Sequence, residues 1–130
     1  MRSYIIEAQD LFVPALSEAL VDAGLEIVRV SRYIDLKGLL NLQPRVLFLD
    51  LDFIEDEPLE TIRLLRTLLP EAYICVYTSD RSAGWSKECH FSGANAVFSK
   101  SAQRHELVTG IRSTLATGIY TDRRFTEEAR

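Results

Sequence analysis

Val46-Leu47-Phe48-Leu49 is an unbroken apolar run that follows closely on Pro44 and ends in an acid, Asp50. A strand with one face in water alternates apolar and polar residues. A continuous run between a proline and an acid is the pattern of a strand buried on both faces. Such a strand needs helices above and below it, so the chain that contains it should fold as an α/β protein. In open sheets of this kind, ligands and chemistry collect outside the carboxyl ends of the strands, which is where Asp50 falls.

The rest of the sequence alternates accordingly. Tyr4-Ile5-Ile6 reads as a first strand ending at Glu7. A helix over about Leu11 to Ala23 follows, with Asp10 as its cap, Pro14 in its first turns and Gly24 at its end. Glu26 to Val30 is a second strand, and Ser31 to Gln43 a helix stopped by Pro44. After the strand Arg45 to Asp50, Pro58 opens a helix with Leu59, Ile62, Leu65, Leu68 and Leu69 at helical spacing, closed by Pro70. Tyr73 to Tyr77 is a fourth strand ending at Thr78, and Asp80 to Ser92 a polar helix interrupted by Gly84. Gly93-Ala94 leads to a short strand, Ala96-Val97-Phe98, ending at Ser99-Lys100, and a last helix spans Ala102 to Ala116 before Gly118. Five β-α units predict a five-stranded parallel sheet with helices on both faces and the flavodoxin-like order 2-1-3-4-5. Residues 119–130, polar and charged, read as a C-terminal tail or linker.

Composition narrows the function. A net charge of −4 argues against direct binding of nucleic acid. No apolar segment approaches the roughly 20 residues that span a bilayer, and the N-terminus lacks a signal-peptide pattern. Cys75 and Cys89 form no metal or redox spacing, and Cys75 reads as a buried thiol, which fits the cytoplasm. A phosphate-binding loop after the first strand would make the chain a small flavodoxin-like cofactor enzyme. Glu7-Ala8-Gln9-Asp10-Leu11 offers acids there instead.

In a parallel sheet the strand ends share one edge, so Glu7, Asp50, Thr78 and Lys100 should converge. Lys100 is one of only three lysines in the chain. The apolar strand ending in Asp50, Tyr77-Thr78-Ser79, Gly93-Ala94 and Phe98-Ser99-Lys100 before a helix together resemble the receiver domain of bacterial response regulators, over about residues 3–117. The resemblance implies a receiver over residues 1–118 that works in phosphorelay signalling and is not itself an enzyme. Asp50 would be the phosphoacceptor, taking its phosphoryl group from a histidine kinase or phosphotransfer protein. Lys100 would pair with one phosphoryl oxygen and Thr78 would hydrogen-bond another. A Mg²⁺ ion would be held by Glu7, Asp50 and the backbone carbonyl of Asp52. The last two helices (Asp80 to Ser92 and Ala102 to Ala116) would meet an output domain, a target protein or a second copy of the chain.

The sequence departs from that family at the metal pocket. Ala8 replaces the second of two adjacent acids, so the magnesium site is expected to be weakened or lost. Asp10, as a helix cap, would be occupied, and the Asp52 side chain is expected to point away. Val97 stands where the family often has a switch aromatic. The alternative reading is a phosphorylation-independent receiver that signals by protein contacts. Taken singly, Asp50 also reads as a turn cap, Thr78 as the partner of a nearby backbone group, and the acids Asp52, Glu55, Asp56 and Glu57 as a solvated loop. His90 reads as a half-buried packing residue and His105 as solvent-facing. Trp85 is either an exposed aromatic at a partner surface or packed beneath its own helix.

Overall fold

The computed structural model describes residues 1–128. A parallel sheet is built from β1 (Arg2–Ile6), β2 (Glu26–Ser31), β3 (Val46–Asp50), β4 (Tyr73–Thr78), β5 (Ala96–Ser99) and β6 (Tyr120–Thr121), in the order β2-β1-β3-β4-β5-β6. The helices are α1 (Val13–Asp22), α2 (Leu36–Leu42), α3 (Pro58–Leu68), α4 (Trp85–Ser92), α5 (Arg104–Thr117) and α6 (Arg123–Glu128). The α/β class and the order of the first five strands are as the sequence predicts.

All five residues of β3 are buried, and successive side chains serve opposite faces. Leu47 and Leu49 join Tyr4, Ile6, Ile74, Val76 and Val97 in one core with Leu39, Ile62 and Leu65. Val46 and Phe48 join Ile5, Cys75, Tyr77 and Phe98 in the other, with Leu16, Leu20, Leu107 and Ile111. Leu107 and Ile111 therefore face inward, and Arg104 pairs with Glu18 and Asp22 to tie α5 to α1. Trp85 packs against the first core, which settles its reading in favour of packing. The exposed aromatic of α4 is instead Phe91, 90% exposed.

The helix boundaries move where local capping overrides the apolar pattern. Ser31 completes β2, and α2 begins only after Asp35, whose carboxylate caps the Gly38 N–H. Gly84, in the left-handed region, starts α4 five residues later than Asp80. Asp10 does not cap α1. It opens a short 3₁₀ turn over Asp10–Phe12, and its carboxylate turns outward to Arg32. Gly93 sits at φ 126, where a Cβ would come within 2.9 Å of Arg66 Cβ. That close approach lets the Arg66 guanidinium donate to the carbonyls of Gly93 and Ala72, fastening α3 to the turn before β5.

The main correction concerns residues 119–130. The segment expected to be a tail adds β6 to the edge of β5 and α6 behind it, so the sheet has six strands. Tyr120 stacks on Phe98 at 5.0 Å between ring centroids. Asp122 is 1% exposed and Phe125 5% exposed, the latter within the first core. Arg124 grips Glu106 with two hydrogen bonds, of 2.8 and 2.9 Å, and this holds the Glu106 carboxyl down near 2. His90 of α4 lies 2.7 Å from the Thr121 hydroxyl. β6 and α6 thus occupy the space between α4 and α5, on the face the sequence offered to a second copy.

Candidate functional site

Each strand tip delivers one group to the sheet edge. Glu7 follows β1, its N–H bonded to the Ser31 carbonyl at the end of β2. Asp50 ends β3 and Thr78 ends β4. Lys100 follows β5, and its N–H donates to the Thr78 carbonyl at 3.0 Å. The four expected residues are therefore brought together by the parallel ladder itself.

The Lys100 ammonium is the centre of the cluster. It lies 2.8 Å from Asp50 Oδ1, 3.4 Å from Asp52 Oδ2 and 3.7 Å from Glu7 Oε1, and its side chain is only 5% exposed. Beneath it is an aromatic floor, with the Phe12 ring centroid at 4.6 Å and that of Tyr77 at 5.6 Å. At an effective dielectric of 20, a contact of this length is worth about 6 kcal/mol of gross attraction, set against the cost of removing both charges from water.

One ammonium cannot balance three carboxylates, so the most deeply buried of them takes up a proton. Glu7 is fully buried. Burial pushes its carboxyl up, a hydrogen bond shared with the Asp50 carboxyl pushes it further, and together they raise it to about 7. Its Oε2 accepts from the Gln9 N–H at 3.0 Å. Asp50 Oδ1 accepts from the Asp52 N–H at 2.9 Å, so the carboxylate also caps the turn after its strand. Asp50 Oδ2 accepts from the Ala8 N–H at 3.4 Å.

The Asp52 side chain does not point away. Its Oδ1 accepts from the Thr78 hydroxyl at 2.7 Å, and its Oδ2 from the Ser79 N–H at 3.0 Å and the Ser79 hydroxyl at 2.7 Å. Burial alone would raise its carboxyl. The hydrogen bonds from Ser79 and Thr78 outweigh that and hold it below the usual carboxylate range. A cleft of about 380 Å³ opens beside Asp52, Thr78, Ser79 and Trp85, and Asp50 is not part of its lining. The sequence did not single out Ser79 or Phe12 for these roles. The one available signal was the Asp50-Leu51-Asp52 spacing, which in an extended chain returns the second acid to the side of the first.

Magnesium demands near-octahedral oxygen coordination. The cluster offers the Glu7 and Asp50 carboxylates and the Asp52 carbonyl. A methyl group replaces the further acid at Ala8, Glu7 is partly protonated near neutrality, and an ammonium already stands between the oxygens. Among the described residues no group of three or more acidic, histidine or cysteine side chains is arranged to hold a metal ion. This donor set falls short of a magnesium cage. Asp10, turned out to Arg32, does not complete it.

No protein-family model and no curated protein matches this sequence. Solved structures do. The isolated receiver domain of RcsB from Salmonella enterica serovar Typhimurium superposes with a TM-score of 0.82 at 16% identity, over 100% of this chain and 99% of that one. A LuxR-family two-component response regulator from Aurantimonas gives 0.77 at 20% identity, over 98% and 94%. The signal receiver domain of NarL from Mycobacterium tuberculosis gives 0.73 at 17%, over 89% and 96%. At such identities the likeness speaks for architecture: this chain has the fold of response-regulator receiver domains.

Proposed function

We propose that this chain is a receiver module of phosphorelay signalling in which Asp50 is the phosphoacceptor. The observation that carries the reading is the meeting of Asp50, Lys100 and Thr78 from three adjacent strand tips, with the ammonium 2.8 Å from the acceptor carboxylate. A carboxylate is a weak nucleophile, so such a transfer depends on positioning and charge neutralisation. An Asp50 oxygen attacks the phosphorus of a phosphohistidine on a histidine kinase or phosphotransfer protein. The P–O bond forms as the P–N bond breaks, and the imidazole nitrogen leaves with the electron pair and takes a proton from solvent. Lys100 offsets the added charge and Thr78 donates to a phosphoryl oxygen. Thr78 ties this site to the segment leading to α4, because its hydroxyl accepts from the Asp80 N–H, and α4 would be the surface offered to an output domain or target protein. No step is assigned to a metal.

The test is incubation with a small phosphodonor across a magnesium series, read by intact mass. One phosphoryl group is expected on the wild type and none on Asp50→Asn, with a rate that stays low until magnesium is raised well beyond ordinary cellular levels. Absence of modification at every magnesium concentration overturns the reading. A second reading, a receiver that acts by contacts without phosphorylation, is favoured by Ala8 in the metal pocket. It predicts unchanged signalling output in both Asp50→Ala and Lys100→Ala.

A further inference from the structure

The groups assigned to a phosphoryl group on Asp50 are not idle in this protein. The Thr78 hydroxyl donates to Asp52 Oδ1 at 2.7 Å, and the Ser79 N–H reaches both carboxylate oxygens, at 3.2 and 3.0 Å. The Ser79 hydroxyl adds a fourth bond, and the Lys100 ammonium lies 3.4 Å from Oδ2. A hydroxyl from one strand tip, the next backbone N–H and an ammonium from the neighbouring tip form a seat for an oxyanion. The anion in that seat is a carboxylate two residues along the chain from Asp50. It is held in place from behind, because the Asp52 N–H donates to Asp50 Oδ1. The Thr78 hydroxyl is also locked on its other side, accepting from the Asp80 N–H at 3.1 Å in the segment that leads to α4.

We infer that the Asp52 carboxylate occupies the phosphoryl seat of this receiver and holds Thr78 and Ser79 in the engaged arrangement before any phosphorylation. The inference rests on the phosphoacceptor reading of Asp50 and adds the regulation of that site. A phosphoryl group arriving on Asp50 has to displace Asp52 from three donors, and by doing so replaces one anion with another in the same place. Acceptance is therefore slow for a reason separate from Ala8, and the unmodified protein already presents the α4 surface that modification would otherwise produce.

The test compares the wild type with Asp52→Ala and Asp52→Asn, the second keeping size and one acceptor oxygen. Two quantities are followed: phosphoryl transfer to Asp50 from a small phosphodonor at one fixed, high magnesium concentration, and hydrogen exchange at the Ser79 amide. Glu55→Gln, an equal loss of charge in the same loop, serves as the control. A hydrogen bond to a charged group is worth about a tenfold change in such an equilibrium. Asp52→Ala is expected to accept the phosphoryl group about tenfold faster than wild type and to lose about tenfold in Ser79 protection. Phosphorylation of the variant should then restore that protection. Asp52→Asn is expected to fall between, and Glu55→Gln to match wild type. Equal acceptance rates in wild type and Asp52→Ala, or unchanged Ser79 protection in the unmodified variant, overturn the inference alone. Failure of the phosphoacceptor reading looks different: none of the proteins is modified while Ser79 protection still falls. That result also removes the phosphoryl seat and leaves Asp52 as a structural clamp.

Discussion

Replacing Glu7 by glutamine removes one titration from the charged cluster while keeping the side chain's shape. Glu7 is fully buried beside Asp50, Lys100 and the Tyr77 ring, and Asp52 also lies against the ammonium. In the folded chain its carboxyl titrates at about 7, against 4.5 when unperturbed. The folded state therefore binds this proton more tightly than the unfolded state. The resulting stability is complete below 4.5 and is lost as pH rises through 7. At about 1.4 kcal/mol per pH unit, the gap from 4.5 to about 7 sets a ceiling of about 3 kcal/mol on the loss. This is a large share of the roughly 5–15 kcal/mol that holds a domain together. Glutamine carries no titrating carboxyl, so the variant lacks this slope. Urea denaturation of both proteins between about pH 5 and 8 should show the wild type losing up to about 3 kcal/mol relative to Glu7→Gln. Parallel profiles, or a wild type that gains on the variant as pH rises, would refute the account of how three acids share one ammonium.

Two further substitutions test the packing around β6. At Gly110 an added Cβ would come within 2.4 Å of Phe98 Cε1 and 2.6 Å of Tyr120 Cε2, both in stacked rings with little room to retreat. Gly110→Ala should therefore destabilise by about 1–3 kcal/mol although alanine favours helices; an increase in melting temperature would contradict this. Phe125→Ala empties a core position in α6 and is expected to cost about 3 kcal/mol; a loss below about half that on denaturation would mean that α6 is not part of the cooperative unit.

Much of this architecture can be read from the chain because its signals are local and repeated. The apolar runs of β3 and β4 have no alternative use, and parallel pairing then carries Glu7, Asp50, Thr78 and Lys100 to one edge without further information. What escaped the reading depends on single residues. β6 and α6 rest on Tyr120, Asp122 and Phe125 within a polar stretch, too few for any periodicity. The available hint was a glycine in the middle of α5, which leaves room for the Tyr120 ring. The direction of Asp52 escaped because loop acids usually face water. Its orientation follows from Ser79 and Thr78, which become its neighbours only once β3 and β4 are paired. Likewise, the shorter α2 and α4 are decided by the Asp35 cap and the left-handed Gly84, against apolar or polar runs that extend past both.

The added sixth strand changes how the sheet meets the outside. An open strand edge is a row of unpaired amides and carbonyls on which another chain can polymerise. On the β6 side that row is only two residues long and is followed at once by a helix. The opposite flank is β2, six residues long, where the register against β1 slips between Ser3 and Tyr4. Glu26 and Arg29 put charge along that flank, and Arg29 is tethered to Asp35. Among the described residues, fibril-like growth is thus left one long starting rail, and that rail is kinked and electrically marked against it.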